Sequence, residues 1–274
     1  MLNSSIRKIQ DQFYKEFESN RKSEKLFERM CTAINRNVFI YRWHPQMFAM
    51  RKNTKIFQTV AMIDIQKEIL MFIKALCENH HEALQQFMLE QKNYKCQYNM
   101  VHLLVTYLAT LVKEINAINE RPDEDISTQD QTRIPKRKQL SYSHAILALR
   151  ALSECMQGPC KCNQESIGDS NFLVIANEIL TLRFGFGNRR SDHEGCHFTN
   201  YQLCKLKNEC AILILSLLEQ REVDDKIVIN MRQCIKESTL VDNIKFVYYS
   251  FMLEKDANYS DELLFKVYLT WPSV

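Results

Sequence analysis

Two helix ends in this sequence set carboxylates beside groups that favour a cation. Leu76-Cys77-Glu78-Asn79-His80-His81 closes one long amphipathic pattern, and Leu152-Ser153-Glu154-Cys155-Met156-Gln157-Gly158-Pro159-Cys160 closes another. Gly158-Pro159 stops the second helix, because glycine accepts the left-handed turn and proline cannot continue the ladder. Glu78 is thereby set near His80, and Glu154 near Gln157. Carbonyls left unpaired at a helix C-terminus add further oxygens. Carboxylate and carbonyl oxygens are the donors a hard cation such as Ca²⁺ requires. A plainer role fits the same residues: a glutamate near a helix end is solvated, and a terminal histidine complements the dipole. The spacing leaves both readings open, since the two segments are distant in the chain.

A second set of ligating types is Cys155, Cys160 and Cys162 with His193, Cys196 and His197. One intervening residue between Cys160 and Cys162 is tighter than the two to four usual in structural zinc pairs, so a zinc site built on Cys160, Cys162, His193 and Cys196 stays an open alternative. Neither a Walker loop nor a G-x-S-x-G elbow occurs. Phe184-Gly185-Phe186-Gly187 follows a helical pattern rather than a strand, so it reads as a loop.

The elements that must position these residues are helices. All five glycines lie between Gly158 and Gly195, which leaves most of the chain without hairpin turns. Ile6, Ile9, Phe13 and Phe17 form a helical stripe behind Ser4 or Ser5 as N-cap, and Leu26, Phe27, Met30 and Ile34 form the next. Long amphipathic helices are expected over Lys55–Cys77 and Asn99–Ile118, and further ones over Ser143–Gln157, Asn171–Arg183, Thr199–Gln220, Val223–Lys236 and Leu240–Leu253. Short connections between about ten such helices imply an all-α fold, an α-solenoid or irregular helical stack, although no repeat period is visible. Asn119–Lys138 is almost devoid of apolar residues and reads as a flexible charged linker, and Phe184 through His197 as a polar loop.

Composition narrows the function classes. The 274 residues include 36 Lys+Arg against 33 Asp+Glu, a net charge of +3 too small to drive nucleic-acid or anionic-membrane binding. The longest apolar runs fall short of the roughly 18 residues that span a bilayer. Ten cysteines at irregular spacings, with no secretory signal ahead of them, predict a reduced cytosolic compartment in which most act as small buried hydrophobes.

Those two helix ends also carry a family resemblance. Leu76-Cys77-Glu78-Asn79-His80, Leu84-Gln85-Gln86-Phe87 and Tyr98-Asn99-Met100-Val101 resemble the homology-associated domain of inositol trisphosphate and ryanodine receptors. Leu152 through Cys160, followed by Asn163-Gln164, resembles that family's Leu-x-Glu-x-x-Gln-Gly-Pro-Cys-x-x-Asn-Gln signature, with Cys155 and Tyr98-Asn99 nearer the inositol trisphosphate receptor branch. The resemblance runs over about residues 56–253. It implies a cytosolic, armadillo-like helical segment linking the ligand-binding front of a tetrameric Ca²⁺-release channel to its pore, at the cytosolic face of the endoplasmic reticulum membrane. It also implies that Glu78 and Glu154 help form the activating Ca²⁺ site, with Gln157 and His80 nearby. The remaining ligand comes from a segment beyond the pore, so weak Ca²⁺ binding is expected of this chain alone. The implied division is an N-terminal helical extension (1–55), a first helical half (56–118), the linker (119–138), a second half (139–255) and a C-terminal tail (256–274). No enzymatic activity is implied. The rival expectation is a stand-alone soluble helical scaffold that binds partner proteins and conducts no ions.

Overall fold

The computed structural model describes residues 2–42, 54–119, 133–182 and 193–253, with side chains over 5–35, 65–117, 139–182 and 201–245. Eleven α-helices and one short 3₁₀ turn make up these residues, and no strand occurs among them. The helices are α1 (Leu2–Ser19), α2 (Glu24–Arg42), α3 (Thr54–Cys77), α4 (Glu82–Leu89), α5 (Met100–Asn119), α6 (Arg133–Met156), α7 (Lys161–Gly168), α8 (Phe172–Thr181), α9 (His193–Leu218), α10 (Lys226–Cys234) and α11 (Glu237–Leu253). The all-α stack expected from the patterning is therefore present.

Helix α6 is the centre of the stack, packing against α3, α5 and α9. Tyr142, Ala145, Ala148, Leu149, Ala151, Leu152, Cys155 and Met156 are all buried and cover about half of the helix surface, while Ser143, Leu147, Arg150 and Glu154 run along its half-buried side. So wide an apolar face packs against several neighbours at once, and its alanines let them approach closely. From α5 the stripe Leu104, Leu108, Leu111, Val112 and Ile115 is wholly buried. At the N-terminal end, Phe17, Phe27, Phe87 and Tyr94 form an aromatic cluster with ring centroids 5.4–5.8 Å apart, which docks α1 and α2 on α4.

A repeat hidden in the sequence emerges here. Helices α3 and α6 are both 24 residues long, and each is followed, after a short turn, by an eight-residue helix, α4 or α7. The two pairs lie side by side.

Several expectations need correction. Helix α1 starts at Leu2, ahead of the predicted serine caps. Its Ile6, Ile9 and Phe13 are largely exposed, while Gln10 is buried, because the helix turns a polar side chain toward the end of α3. Of the expected linker, 120–132 lies outside the described residues, but Arg133–Lys138 form the start of α6. Pro135 falls in the first turn, where its missing N–H costs no bond, and the basic residues after it are good helix formers. Of the expected loop, 184–192 lies outside the described residues, whereas 193–197 belong to α9. One internal glycine, Gly195, costs only about 1 kcal/mol, which a 26-residue helix carries. Short α4 and α7 were not anticipated as helices. The 256–274 tail also lies outside the described residues.

Candidate functional site

Side-by-side packing of α3 and α6 brings together the two helix ends singled out from the sequence. Glu78 lies one residue past the end of α3 and Glu154 in the last turn of α6. Both reach one ammonium: Lys74 Nζ is 2.9 Å from Glu78 Oε1 and 3.7 Å from Glu154 Oε1. The Glu78 side chain is 41% exposed and that of Glu154 19%, so the pair sits at a solvent-facing edge with one member largely withdrawn. Burial pushes the Glu154 carboxyl above its ordinary range; Lys74 works against this, Glu78 adds to it by like-charge repulsion, and His80 opposes it. That balance describes a carboxylate short of positive charge.

The turns carrying these residues are unusual. Asn79 and His80 both take positive φ, 59° and 57°, a left-handed conformation costly for residues other than glycine. Across from them Gly158 has φ +94°, and a Cβ there would lie 2.6 Å from His80 Cβ and Cγ. Gly158 is thus required twice over, by its backbone and by the imidazole packed against it. Beneath the site Cys77 and Cys155 touch at 3.6 Å Sγ to Sγ, fully buried, and the Cys155 contact together with burial holds the Cys77 thiol neutral.

The backbone carbonyls do not stay free as expected. Gln10 Nε2 donates to the carbonyls of Ala75, Leu76 and Glu78 at the end of α3. Gln85 Nε2, from α4, donates to those of Glu154 and Gln157 at 2.7 and 2.9 Å, and Asn163 Nδ2 bonds Cys155 O and Gln85 O. Six carbonyl oxygens at the two helix ends, those of Ala75, Leu76, Glu78, Glu154, Cys155 and Gln157, are thus engaged by side-chain amides. His80 joins the cluster through its field and its ring packing, while Gln157 takes part through its carbonyl.

Sequence reasoning missed Lys74, Gln10, Gln85 and the His81–Asp11 contact. Lys74 was legible as an i, i+4 partner of Glu78; the others act across sequence separations of 65 to 72 residues and leave no local signal. Of the candidate zinc ligands, Cys155 pairs with Cys77, and Cys160 with Cys162 at 3.4 Å. The side chains of His193, Cys196 and His197 lie outside the described residues. His193-Glu194-Gly195-Cys196-His197 has H-E-x-x-H spacing and falls on the first turns of α9. No group of three or more His, Cys, Asp or Glu side chains able to hold a metal occurs among the described residues.

Fold and site together define an all-helical stack with a carboxylate pair at the joint between two parallel long-short helix units. Residues 60–180, a little under half of the chain, match the family model described as RyR and IP3R Homology associated. The matched segment runs from α3 to α8 and contains both glutamates. The description names both receptor branches. Among the described residues no helix is long and apolar enough to cross a membrane.

Proposed function

We propose that this chain is a segment of an intracellular Ca²⁺-release channel of the inositol trisphosphate receptor type, within a tetramer at the cytosolic face of the endoplasmic reticulum, where Glu78 and Glu154 form half of its Ca²⁺-sensing site. One observation carries the reading: two glutamates from different helices converge on one ammonium at an exposed edge. The donor chemistry fits a hard cation, yet two carboxylates fall short of the roughly six to eight oxygens Ca²⁺ takes. Ligands from another part of the receptor complete the set, and affinity in this chain alone is on the order of millimolar. A bound dication supplies the neutralising charge that Lys74 supplies only in part. Lys74 competes for the same carboxylates, so occupancy requires its ammonium to move aside. Glu78 and Glu154, carried on separate helices, are then drawn to a common centre, and a second element closing over them gives the two receptor states different cation affinities. Only such a difference shifts a gating equilibrium.

The test has two arms. In the assembled receptor, Glu78→Gln with Glu154→Gln abolishes Ca²⁺-dependent activation of single-channel currents; retained Ca²⁺ dependence sinks the assignment. In the isolated chain, titrated with Tb³⁺ and followed by its luminescence, the same double variant loses binding, and Lys74→Gln tightens it by roughly tenfold through removal of the competing charge.

A further inference from the structure

Helix α1 lies outside the segment that matches the family model, yet three of its residues converge on the turn that carries Glu78. Gln10 is 3% exposed, and its amide nitrogen donates to Ala75 O at 3.0 Å, Leu76 O at 3.2 Å and Glu78 O at 2.8 Å. These are among the last carbonyls of α3, which the helix itself leaves without partners. The amide oxygen of Gln10 is buried with no hydrogen bond from the protein, so the side chain acts wholly through its donors. Asp11 Oδ1 lies 3.1 Å from His81 Nε2, while His81 Nδ1 accepts the Leu84 N–H at the start of α4. With Nδ1 accepting, the ring proton is on Nε2 and points at Asp11. Arg7 Nη1 reaches His80 O at 3.4 Å.

Between these anchors sit Asn79 and His80, both left-handed. Two consecutive non-glycine residues in that region persist only where the surroundings over-determine them. On one side the surroundings are Gly158 and its neighbours; on the other they are α1. Docking of α1 rests in turn on ring contacts, with Phe13 5.7 Å from Phe72 and Phe17 5.8 Å from Phe87.

We infer that α1 is a clamp: through Gln10, Asp11 and Arg7 it holds the strained 78–81 turn and thereby sets Glu78 against Lys74 and Glu154. Gln10 is a positioning residue, and cation occupancy of the pair depends on α1 being docked. The inference rests on the reading of Glu78 and Glu154 as a cation pair, but the clamp itself is measurable without any metal.

The experiment compares the full chain with its Gln10→Leu variant, which keeps the buried volume and removes the donors. Amide exchange is read by mass spectrometry over 78–85, with α8 as internal reference, and Tb³⁺ is titrated by luminescence. Expected are exchange roughly tenfold faster over 78–85, unchanged exchange in α8, and Tb³⁺ affinity lowered about fivefold. Unchanged exchange over 78–85 overturns the clamp; faster exchange with wild-type Tb³⁺ affinity overturns its link to the pair. If the wild-type chain binds no Tb³⁺, the Ca²⁺ reading falls, and exchange alone decides whether α1 holds the turn. Should Gln10→Leu fail to fold, Asp11→Ala, at a half-exposed side chain, gives the same readouts with smaller changes and decides in the same way.

Discussion

Glu154 is held in a conflict that its neighbours only partly relieve. Withdrawal from water and the nearby Glu78 raise its proton affinity, and Lys74 and His80 lower it by less. A carboxyl whose folded pKa is raised makes its best contribution to stability below the ordinary carboxylate range, and loses it as pH rises through the folded value. Glu154→Gln therefore stabilises the fold at neutral pH, by less than about 1 kcal/mol because the side chain keeps some water contact, and leaves stability unchanged well below the carboxylate range. Urea midpoints at the two pH values check this; a lower midpoint at neutral pH removes the argument. A variant that is more stable and binds no cation is the expected signature of a functional charge, since sites of this kind trade stability for binding.

Helix ends are the recurrent device at the next scale up. Long helices α3, α6 and α9 all have their terminal carbonyls met by a glutamine from another helix: Gln10 for α3, Gln85 for α6, and Gln164 for α9 through Ser216 O and Glu219 O. Gln164 is itself held by Arg221. Each cap ties one helix end to a neighbouring element, so the ends move together. Helix α8 uses a lysine instead: Lys207 Nζ donates to Leu180 O at 2.8 Å and also bonds Asn243 of α11. Burial lowers the Lys207 pKa to about 8. Between there and the ordinary lysine value the unfolded chain holds more protons than the folded one, so stability rises with pH across that window. Relative to Lys207→Met, the wild-type chain gains about 2 kcal/mol from pH about 8 to about 10.5, measured by urea unfolding at each pH. A flat difference across the window overturns the assignment.

For the molecule as a whole, the position of α6 decides how it unfolds. With α3, α5 and α9 packed around it, the residues matched by the family model and those on either side share one core. Leu149, fully buried on α6, makes the test: Leu149→Ala costs about 2–5 kcal/mol through the cavity it leaves. Tyrosine fluorescence and far-ultraviolet circular dichroism then shift together in urea, as one transition. Separated midpoints would show two units that unfold independently.

Much was legible in the sequence because it depends on local spacing. Apolar stripes at helical intervals determined α2, α3, α5 and α9, whose buried faces are Phe27, Met30 and Ile34, or Leu104, Leu108 and Leu111, as the period requires. Gly158-Pro159 marked the end of α6 within two residues, and Glu78 and Glu154 could be picked out as carboxylates at helix ends. Tertiary structure alone decided that these ends meet, that Lys74 stands between them, and that distant amides take the carbonyls expected to be free. Gln10 shows why: its stripe neighbours Ile6 and Ile9 are apolar, yet it is the amide that is buried, because three carbonyls from α3 await donors there and no spacing rule records a partner 65 residues away. Helical period is written into each segment by backbone geometry, whereas the partner of a side chain is set by which segments pack, and that follows from the fit of the whole core.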